Sequence, residues 1–304
     1  YIDQPISLDL EVNSYYIAGV TKDSIYLGNY TAPLLVTALP NDLSSKVEHT
    51  IRLNETQRRF RSLLVNVQDQ EFYVSDGSIP IIYKGITTDW KANAFMTDSI
   101  YFSLFQPLSS DTFLFRSQKA SNGEHVLGKL TQENNKWSYE LYDAVLQKQI
   151  DGVFDTDGQL VYDAITNQGI YTYYYRNQYP IYHPQTNQFS FGKTIDTTTI
   201  AQIKITQLQN GERKMSAPPQ KVNAQSYAYN GRLYVQSELL GKNEPKSMWN
   251  QASIIDVYDY NKNEYNHSFY AYHEQGKTIR DFVVNEKYFF GLVGNVVVRY
   301  LVAD

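Results

Sequence analysis

The chain has 304 residues and a formal net charge of −5, so it offers no basic surface for nucleic acid or for an anionic membrane. It has no cysteine, which excludes disulfides, thiolate metal ligands and a cysteine nucleophile. Its 27 tyrosines and 14 phenylalanines, set against 19% charged residues, are typical of half-buried β-strands.

Residues 1–12, YIDQPISLDLEV, contain a strand-like run that belongs to no obvious unit of its own. They have neither an initiator Met nor a basic region followed by an apolar stretch, so they do not read as a signal peptide. We therefore interpret the chain as a trimmed or mature form. No apolar run approaches the roughly 18 residues that a membrane-spanning helix needs.

A polar turn followed by an aromatic strand recurs along the chain. The segments are KDSIYLGNY, DQEFYVSDG, TDSIYFSLF, YNGRLYVQS and VNEKYFFGL. They align on Tyr26, Tyr73, Tyr101, Tyr234 and Phe289, and Tyr173 fills the wide gap that precedes Tyr234. The result is six units of about fifty residues, which is the length of a four-stranded propeller blade.

These units predict an all-β fold, a single β-propeller domain that spans residues 1–304. Six four-stranded blades fit the spacings best, although five or seven blades also fit because the spacings are uneven. The N-terminal strand is expected to pair with the last blade, which closes the ring and covers an open sheet edge. Two insertions are predicted: residues 118–136, which we interpret as a long hairpin tip, and residues 197–222.

Residues 170–183, IYTYYYRNQYPIYH, hold six tyrosines around a short polar loop. Read as strand, turn and strand, they place aromatic rings on both faces of the sheet. Propeller blades are packed on both faces by their neighbours, so the tyrosines are interpreted as packing between blades. The loop Arg176-Asn177-Gln178 is the better candidate for contact with a ligand.

That loop joins the second and third strands of its unit, and in propellers such loops gather on one rim around the central channel. The corresponding loops are placed near residues 106–110 in the third unit and near Gly294 and Asn295 in the sixth. Aromatic faces can stack on sugars or peptides there, and amide, carboxylate and guanidinium groups can fix hydrogen bonds. The predicted ligand-binding residues are Tyr30, Asp76, Arg176, Asn177, Gln178, Trp249 and Asn250.

Three segments, FYVSDGSIPIIYKG (72–85), YTYYYRNQYPIY (171–182) and MWNQASIIDVYDY (248–260), resemble bacterial six-bladed β-propeller proteins of the NHL/TolB-like kind. Many such proteins are exported lipoproteins of the Gram-negative envelope. The resemblance implies a propeller in the periplasm or at the outer-membrane surface, with a lipid anchor upstream of this chain. It supplies no catalytic residues.

Motifs for catalysis, metals and cofactors are not found in the sequence. The five histidines form no ligand pair at helical spacing, and DTDGQ at Asp155 fails as a calcium loop because its twelfth position is Thr166. We therefore expect a non-enzymatic binding or scaffold propeller of the cell envelope, without cofactor or metal, that recognises a protein or glycan partner. The alternative is a glycosidase or lyase with carboxylates such as Asp76, Asp256 and Glu238 around the channel.

Overall fold

The computed structural model describes residues 5–54, 58–209, 211–241 and 244–302. Within them, six small sheets are arranged in a ring, and a two-stranded hairpin stands outside it. Strands that follow one another within a blade pair antiparallel, and the innermost strands of most neighbouring blades contact one another around the ring. The predicted six-bladed β-propeller is confirmed.

The strands follow one another in chain order. Strand β1 is Ile6–Asp9. Blade 1 contains β2 (Tyr15–Val20), β3 (Ser24–Asn29), β4 (Leu35–Pro40) and β5 (Val47–Thr50). Blade 2 contains β7 (Leu64–Gln68), β8 (Glu71–Asp76), β9 (Ile81–Ile86) and β10 (Lys91–Thr97), with β6 (Arg52–Leu53) added in parallel at its edge. Blade 3 contains β11 (Leu104–Pro107), β12 (Thr112–Gln118), β13 (His125–Glu133) and β14 (Lys136–Tyr142).

Blade 4 contains β15 (Gly158–Asp163), β16 (Gln168–Tyr173), β17 (Gln178–His183) and β18 (Gln188–Lys193). The separate hairpin is β19 (Ile205–Gln207) with β20 (Arg213–Met215). Blade 5 contains β21 (Asn223–Tyr229), β22 (Arg232–Ser237), the one-turn helix α1 (Lys246–Trp249), β23 (Ala252–Asp259) and β24 (Glu264–Tyr272). Blade 6 contains β25 (Ile279–Val284), β26 (Tyr288–Val293) and β27 (Val296–Leu301).

The ring closes as predicted, because β1 pairs antiparallel with β27 and becomes the outer strand of blade 6. The register runs from Ile6 opposite Arg299 to Asp9 opposite Val296. Asn295 extends this seam: its side-chain amide donates to Asp9 at 2.6 Å, and its carbonyl accepts the Leu10 N–H at 2.8 Å. Backbone groups at the edge of β27 are therefore paired with the N-terminal segment.

The third unit was aligned on the wrong segment. Tyr101 precedes β11 instead of lying in a second strand, and the second strand of blade 3 is β12. The segment around Tyr101 shows the same aromatic pattern because Phe102, only 9% exposed, packs into the junction between blades and donates its N–H to the Gly77 carbonyl. Residues 118–136, predicted as an insertion, consequently contain the regular strand β13.

The tyrosine-rich segment packs as predicted. Tyr171, Tyr173, Tyr179 and Tyr182 are each at most 1% exposed and contribute to the clusters that join blade 4 to its neighbours. The predicted insertion at 197–222 holds the hairpin of β19 and β20, whose apolar side packs beside blade 4. These rings supply the apolar burial that stabilises each junction between blades.

Candidate binding site at the mouth of the central channel

The loops after the second strand of each blade all leave the ring on one face, which we call the loop rim. They are residues 30–34, 77–80, 119–124, 174–177, 238–251 and 294–295. The predicted loops are in the right places in every unit but the third. Residues 106–110 instead cover the end of the first strand of blade 3 and the turn that follows it, on the opposite face. The prediction was wrong because the third unit was aligned one strand too early.

Asp76 ends β8 at the loop rim, but its side chain bonds to neighbouring backbone instead of facing solvent. Its side chain is fully buried and accepts four hydrogen bonds, from the N–H groups of Arg61, Ser62 and Ser78 and from the Ser78 hydroxyl, at 2.6–3.0 Å. Burial opposes ionisation, yet these hydrogen bonds together lower the pKa of Asp76. The carboxylate thus connects the second-blade loop to the segment that precedes β7.

Arg176 and Asn177 are also buried, at 1% and 5% exposure. The Arg176 guanidinium lies 3.6 Å from the centre of the Tyr173 ring and donates to the Gln147 carbonyl at 3.0 Å. The Asn177 amide donates to the backbone carbonyl of Asp196. Both side chains support the loop from inside. Gln178 opens β17 and is half-buried.

Trp249 and Asn250 belong to the long loop of blade 5, at the end of helix α1. Trp249 is half-buried and Asn250 is exposed. The backbone beside them meets the end of the outermost strand, because the His273 N–H donates to the Gln251 carbonyl at 2.8 Å. These two residues therefore lie toward the perimeter of the ring.

Tyr30 is the predicted site residue with an open side chain. It is 61% exposed, and its ring lies 4.7 Å from the ring of Tyr16. The Tyr16 hydroxyl in turn accepts the Val65 N–H of blade 2 at 2.7 Å, so the ring beneath Tyr30 is held in place. Tyr30 thus presents one aromatic face to solvent on a fixed support.

The first strand of each blade borders a central channel, which contains a cavity of about 210 Å³. Polar side chains from five blades project into this cavity. They are Asn66, Gln106, Gln159, Ser226 and Asp281. The channel is therefore a polar passage rather than a packed core.

Asp281 bridges the first and last blades. Its Oδ2 accepts the Ile17 N–H at 2.9 Å, at the point where β2 has a bulge. Burial raises the pKa of Asp281 to about 6, against the opposing effects of two backbone N–H groups and of the Arg280 charge. The carboxyl can therefore change its protonation state near neutral pH.

Arg280 lies beside it, nearer the loop rim. Its Nε donates to the Gly294 carbonyl at 3.1 Å and its Nη1 to the Tyr15 carbonyl. Its Nη2 has no partner among the described residues. Burial lowers the pKa of Arg280, and the nearby Asp281 opposes that shift. The guanidinium thus connects blades 6 and 1, and its Nη2 group remains available as a hydrogen-bond donor.

Two tyrosines, Tyr30 and Tyr174, lie within electrostatic range of the Asp281 carboxylate. Burial is the main cause of the raised pKa of Tyr30 and of Tyr174, which reaches about 12, and the Asp281 charge adds to both shifts. The Lys221 ammonium lies 4.8 Å from the centre of the Tyr174 ring. We call Tyr30, Tyr174, Lys221, Arg280 and Asp281 the channel-mouth site. It combines aromatic faces with charges of both signs.

Sequence reasoning missed four of these five residues. It interpreted Tyr174 as packing between blades and placed Lys221 in an insertion without a site residue. It did not consider the inner strand that holds Arg280 and Asp281. The channel is lined by inner strands, whose polar residues interrupt otherwise apolar runs. The signal was present in IRDFVV, residues 279–284, where an Arg-Asp pair opens an apolar strand. A charged pair in a strand packed on both faces requires a polar cavity or a partner.

The carboxylates proposed for an enzyme do not line the channel cavity. Asp256 is 6% exposed and accepts the Ser268 hydroxyl at 2.5 Å, Asp76 is engaged as described, and Glu238 stands in the blade 5 loop. Among the described residues, no three His, Asp or Glu side chains are grouped to hold a metal ion. In the same part of the chain, no helix has the length and hydropathy to cross a membrane.

No protein-family model and no curated protein matches the sequence. Solved structures do match. A DUF4221 family member from Bacteroides vulgatus has a TM-score of 0.61 at 8% identity, over 99% of this chain and 96% of that one. A catalytically inactive virginiamycin B lyase from Staphylococcus aureus, bound to quinupristin, has a TM-score of 0.52 at 8% identity, over 99% of both chains. U3-55K has a TM-score of 0.52 at 7% identity, over 95% of this chain and 98% of that one. At these identities the likeness shows the propeller fold alone.

Proposed function

We propose that the chain is a non-enzymatic binding or scaffold propeller of a bacterial cell envelope, which captures a segment of a partner protein at the channel mouth. The observation that carries this proposal is Tyr30. Its ring is open to solvent and rests on a supported tyrosine. It lies near Arg280, because the Tyr30 N–H donates to the Ser14 carbonyl and Arg280 donates to the carbonyl of the next residue, Tyr15.

A protein segment suits this surface better than an ion or a flat hydrocarbon would. Aromatic residues and arginine dominate the binding energy of protein interfaces, and charges of both signs complement a polypeptide. Two further apolar side chains stand exposed on the same rim: Tyr101 at 64%, and Leu64 at 41%. They extend the apolar surface across blades 1 to 3, while Lys221 precedes blade 5 and Arg280 and Asp281 lie on blade 6.

The envelope location rests on the three segments that resemble envelope propellers and on the absence of cysteine, which suits an exported protein without disulfides. We place the protein in the periplasm or at the outer-membrane surface of a Gram-negative bacterium, with a lipid anchor upstream. Fractionation of native cells with a specific antibody tests this. Recovery of the protein with cytoplasmic markers would contradict it.

The binding proposal is tested by crosslinking and affinity capture from native cells. The double variant Tyr30→Ala and Tyr101→Ala removes two exposed rings and is compared with Tyr139→Ala, a tyrosine 53% exposed on the outer strand of blade 3. We expect the rim variant to lose capture by about tenfold or more, since truncating anchor residues typically weakens binding by 1.4 kcal/mol or more. The control should capture as the wild type does.

Both variants should melt within about 4 °C of the wild type, because exposed side chains contribute little to stability. Equal capture by the rim variant and the control would refute the channel mouth as the binding surface. Recovery of a glycan in place of a protein would support the channel mouth as the binding surface but would change the class of partner that we propose.

A further inference from the structure

A larger cavity of about 700 Å³ lies between blades 5 and 6, which we call the interblade groove. The turns at Asn230 and at Asn285 and Glu286 border it, so it opens on the face opposite the loop rim. Its floor is aromatic. The Phe289 ring lies 5.3 Å from that of Phe269 and 6.1 Å from that of Tyr300. The volume is in the range of small-ligand sites, roughly 300–1,000 Å³.

Several polar groups of the groove have no partner among the described residues. Arg232 is exposed and makes neither a hydrogen bond nor an ion pair there, and the hydroxyls of Tyr229 and Tyr234 make no hydrogen bond. Tyr234 is only 4% exposed. Its hydroxyl oxygen is not among the enclosed polar atoms that lack a partner, so it opens into the groove, where water or a ligand can bond to it.

These groups lie close together. Burial raises the pKa of Tyr234, and the Arg232 charge counteracts that shift. Burial also lowers the pKa of His267, and the Arg232 charge lowers it further. The guanidinium is thus within electrostatic range of both rings. Burial and the Arg232 charge both favour the neutral form of His267, which can donate or accept a hydrogen bond. Glu286 lines the same groove without pairing with Arg232, so the cation stays available to a ligand.

An unpaired guanidinium selects an anion, and a planar carboxylate matches its donor geometry. The surrounding phenols, imidazole and amides provide more hydrogen bonds than a simple carboxylate could use, which indicates a ligand rich in hydroxyls. The aromatic floor requires an apolar face. At the rim of the groove Tyr265 and Leu301 are each 43% exposed, so a longer chain could pass over them.

We propose that the interblade groove binds an acidic sugar, a uronic acid residue within an oligosaccharide. Its carboxylate pairs with Arg232, and the apolar face of its ring lies on the half-buried Phe269. Its hydroxyls bond to Tyr229, Tyr234 and His267. This site is distinct from the channel-mouth site and does not depend on it.

Titration calorimetry with a tetramer of galacturonic acid, a neutral tetramer of galactose, and benzoate tests the proposal. We expect the acidic tetramer to bind at least about tenfold tighter than the neutral one, and Arg232→Gln to remove that difference. The matched control Arg59→Gln, which changes an exposed arginine of the segment before blade 2, should bind as the wild type does. Tyr234→Phe keeps the ring and should weaken binding by about 2- to 10-fold.

Melting curves of each variant verify folding. Absence of binding by the wild type at up to about 5 mM tetramer, a weak-affinity limit, would overturn the proposal. So would unchanged affinity of Arg232→Gln. If benzoate bound as tightly as the acidic tetramer, the groove would be a pocket for small organic acids, and the proposal of a sugar ligand would be refuted.

Discussion

The substitution Asp281→Asn should stabilise the protein at neutral pH. Asp281 projects from β25 into the channel, and its Oδ2 accepts the Ile17 N–H at 2.9 Å. The oxygen of an asparagine amide can keep that hydrogen bond without a charge. The native structure disfavours the ionised acid, since burial raises the pKa of Asp281 to about 6 from the ordinary value of 3.8.

The magnitude follows from linkage. One pKa unit corresponds to about 1.36 kcal/mol, so a shift from 3.8 to about 6 amounts to at most about 3 kcal/mol. Water in the channel reaches the partly exposed side chain and screens its charge, so we expect about 1–2 kcal/mol. The destabilisation caused by the ionised carboxylate is complete above the pKa that Asp281 has in the folded state. It is lost as the pH falls from about 6 to about 4, because the folded state then binds a proton that the unfolded chain does not.

Urea unfolding of the wild type and the variant at pH 7 and pH 4 measures this difference. The variant should be more stable at pH 7 and nearly equal at pH 4. The comparison variant Asp281→Ala loses the acceptor as well and should be less stable than Asp281→Asn by about 1–3 kcal/mol. A pH-independent difference between wild type and Asp281→Asn would refute the reasoning, as would a variant that is less stable at pH 7.

Three other substitutions should destabilise the fold, measured as the free energy of unfolding in urea. Asp76→Ala leaves several loop N–H groups without an acceptor and should cost about 2–4 kcal/mol, whereas a loss below 0.5 kcal/mol would show that water replaces the carboxylate. Leu10→Ala, at a side chain 2% exposed beside the closing strand, should cost about 2–4 kcal/mol; an unchanged midpoint would contradict its role in closure. Gly192→Ala would place a Cβ 2.1 Å from the Tyr179 ring, so it should cost about 1–3 kcal/mol, and full stability would mean that the ring moves freely.

The blade architecture could be predicted because its signals are local. Tyr26, Tyr73, Tyr234 and Phe289 all fall in the second strand of a blade, each introduced by a polar turn. Tyr101 was misplaced because the neighbouring Phe102, which is buried in a junction between blades, gives its segment the same local pattern as a second strand. A local pattern of aromatic residues indicates that a segment is buried, but only the tertiary structure decides which element of the fold that segment forms.

The candidate site was less predictable. Of the seven residues expected to bind a ligand, Tyr30 lies at the channel mouth with an open side chain, while Asp76, Arg176 and Asn177 are turned inward. Polar loop residues carry no signal that separates a side chain facing solvent from one that bonds to its own loop. Burial of Asp76 depends on the N–H groups of residues in a different loop, and those contacts are set by folding.

The sequence by itself favoured a ring of six antiparallel blades over five or seven and predicted its closure by the N-terminal strand, because strand periodicity, turn residues and repeat length act over a few tens of residues. Tertiary structure alone decided which side chains share the channel mouth. The Ile17 N–H and the Asp281 carboxylate are 264 residues apart in the chain, and they meet because ring closure places the first blade beside the last. The same closure buries the carboxyl and shifts its pKa, a property that depends on every blade around it.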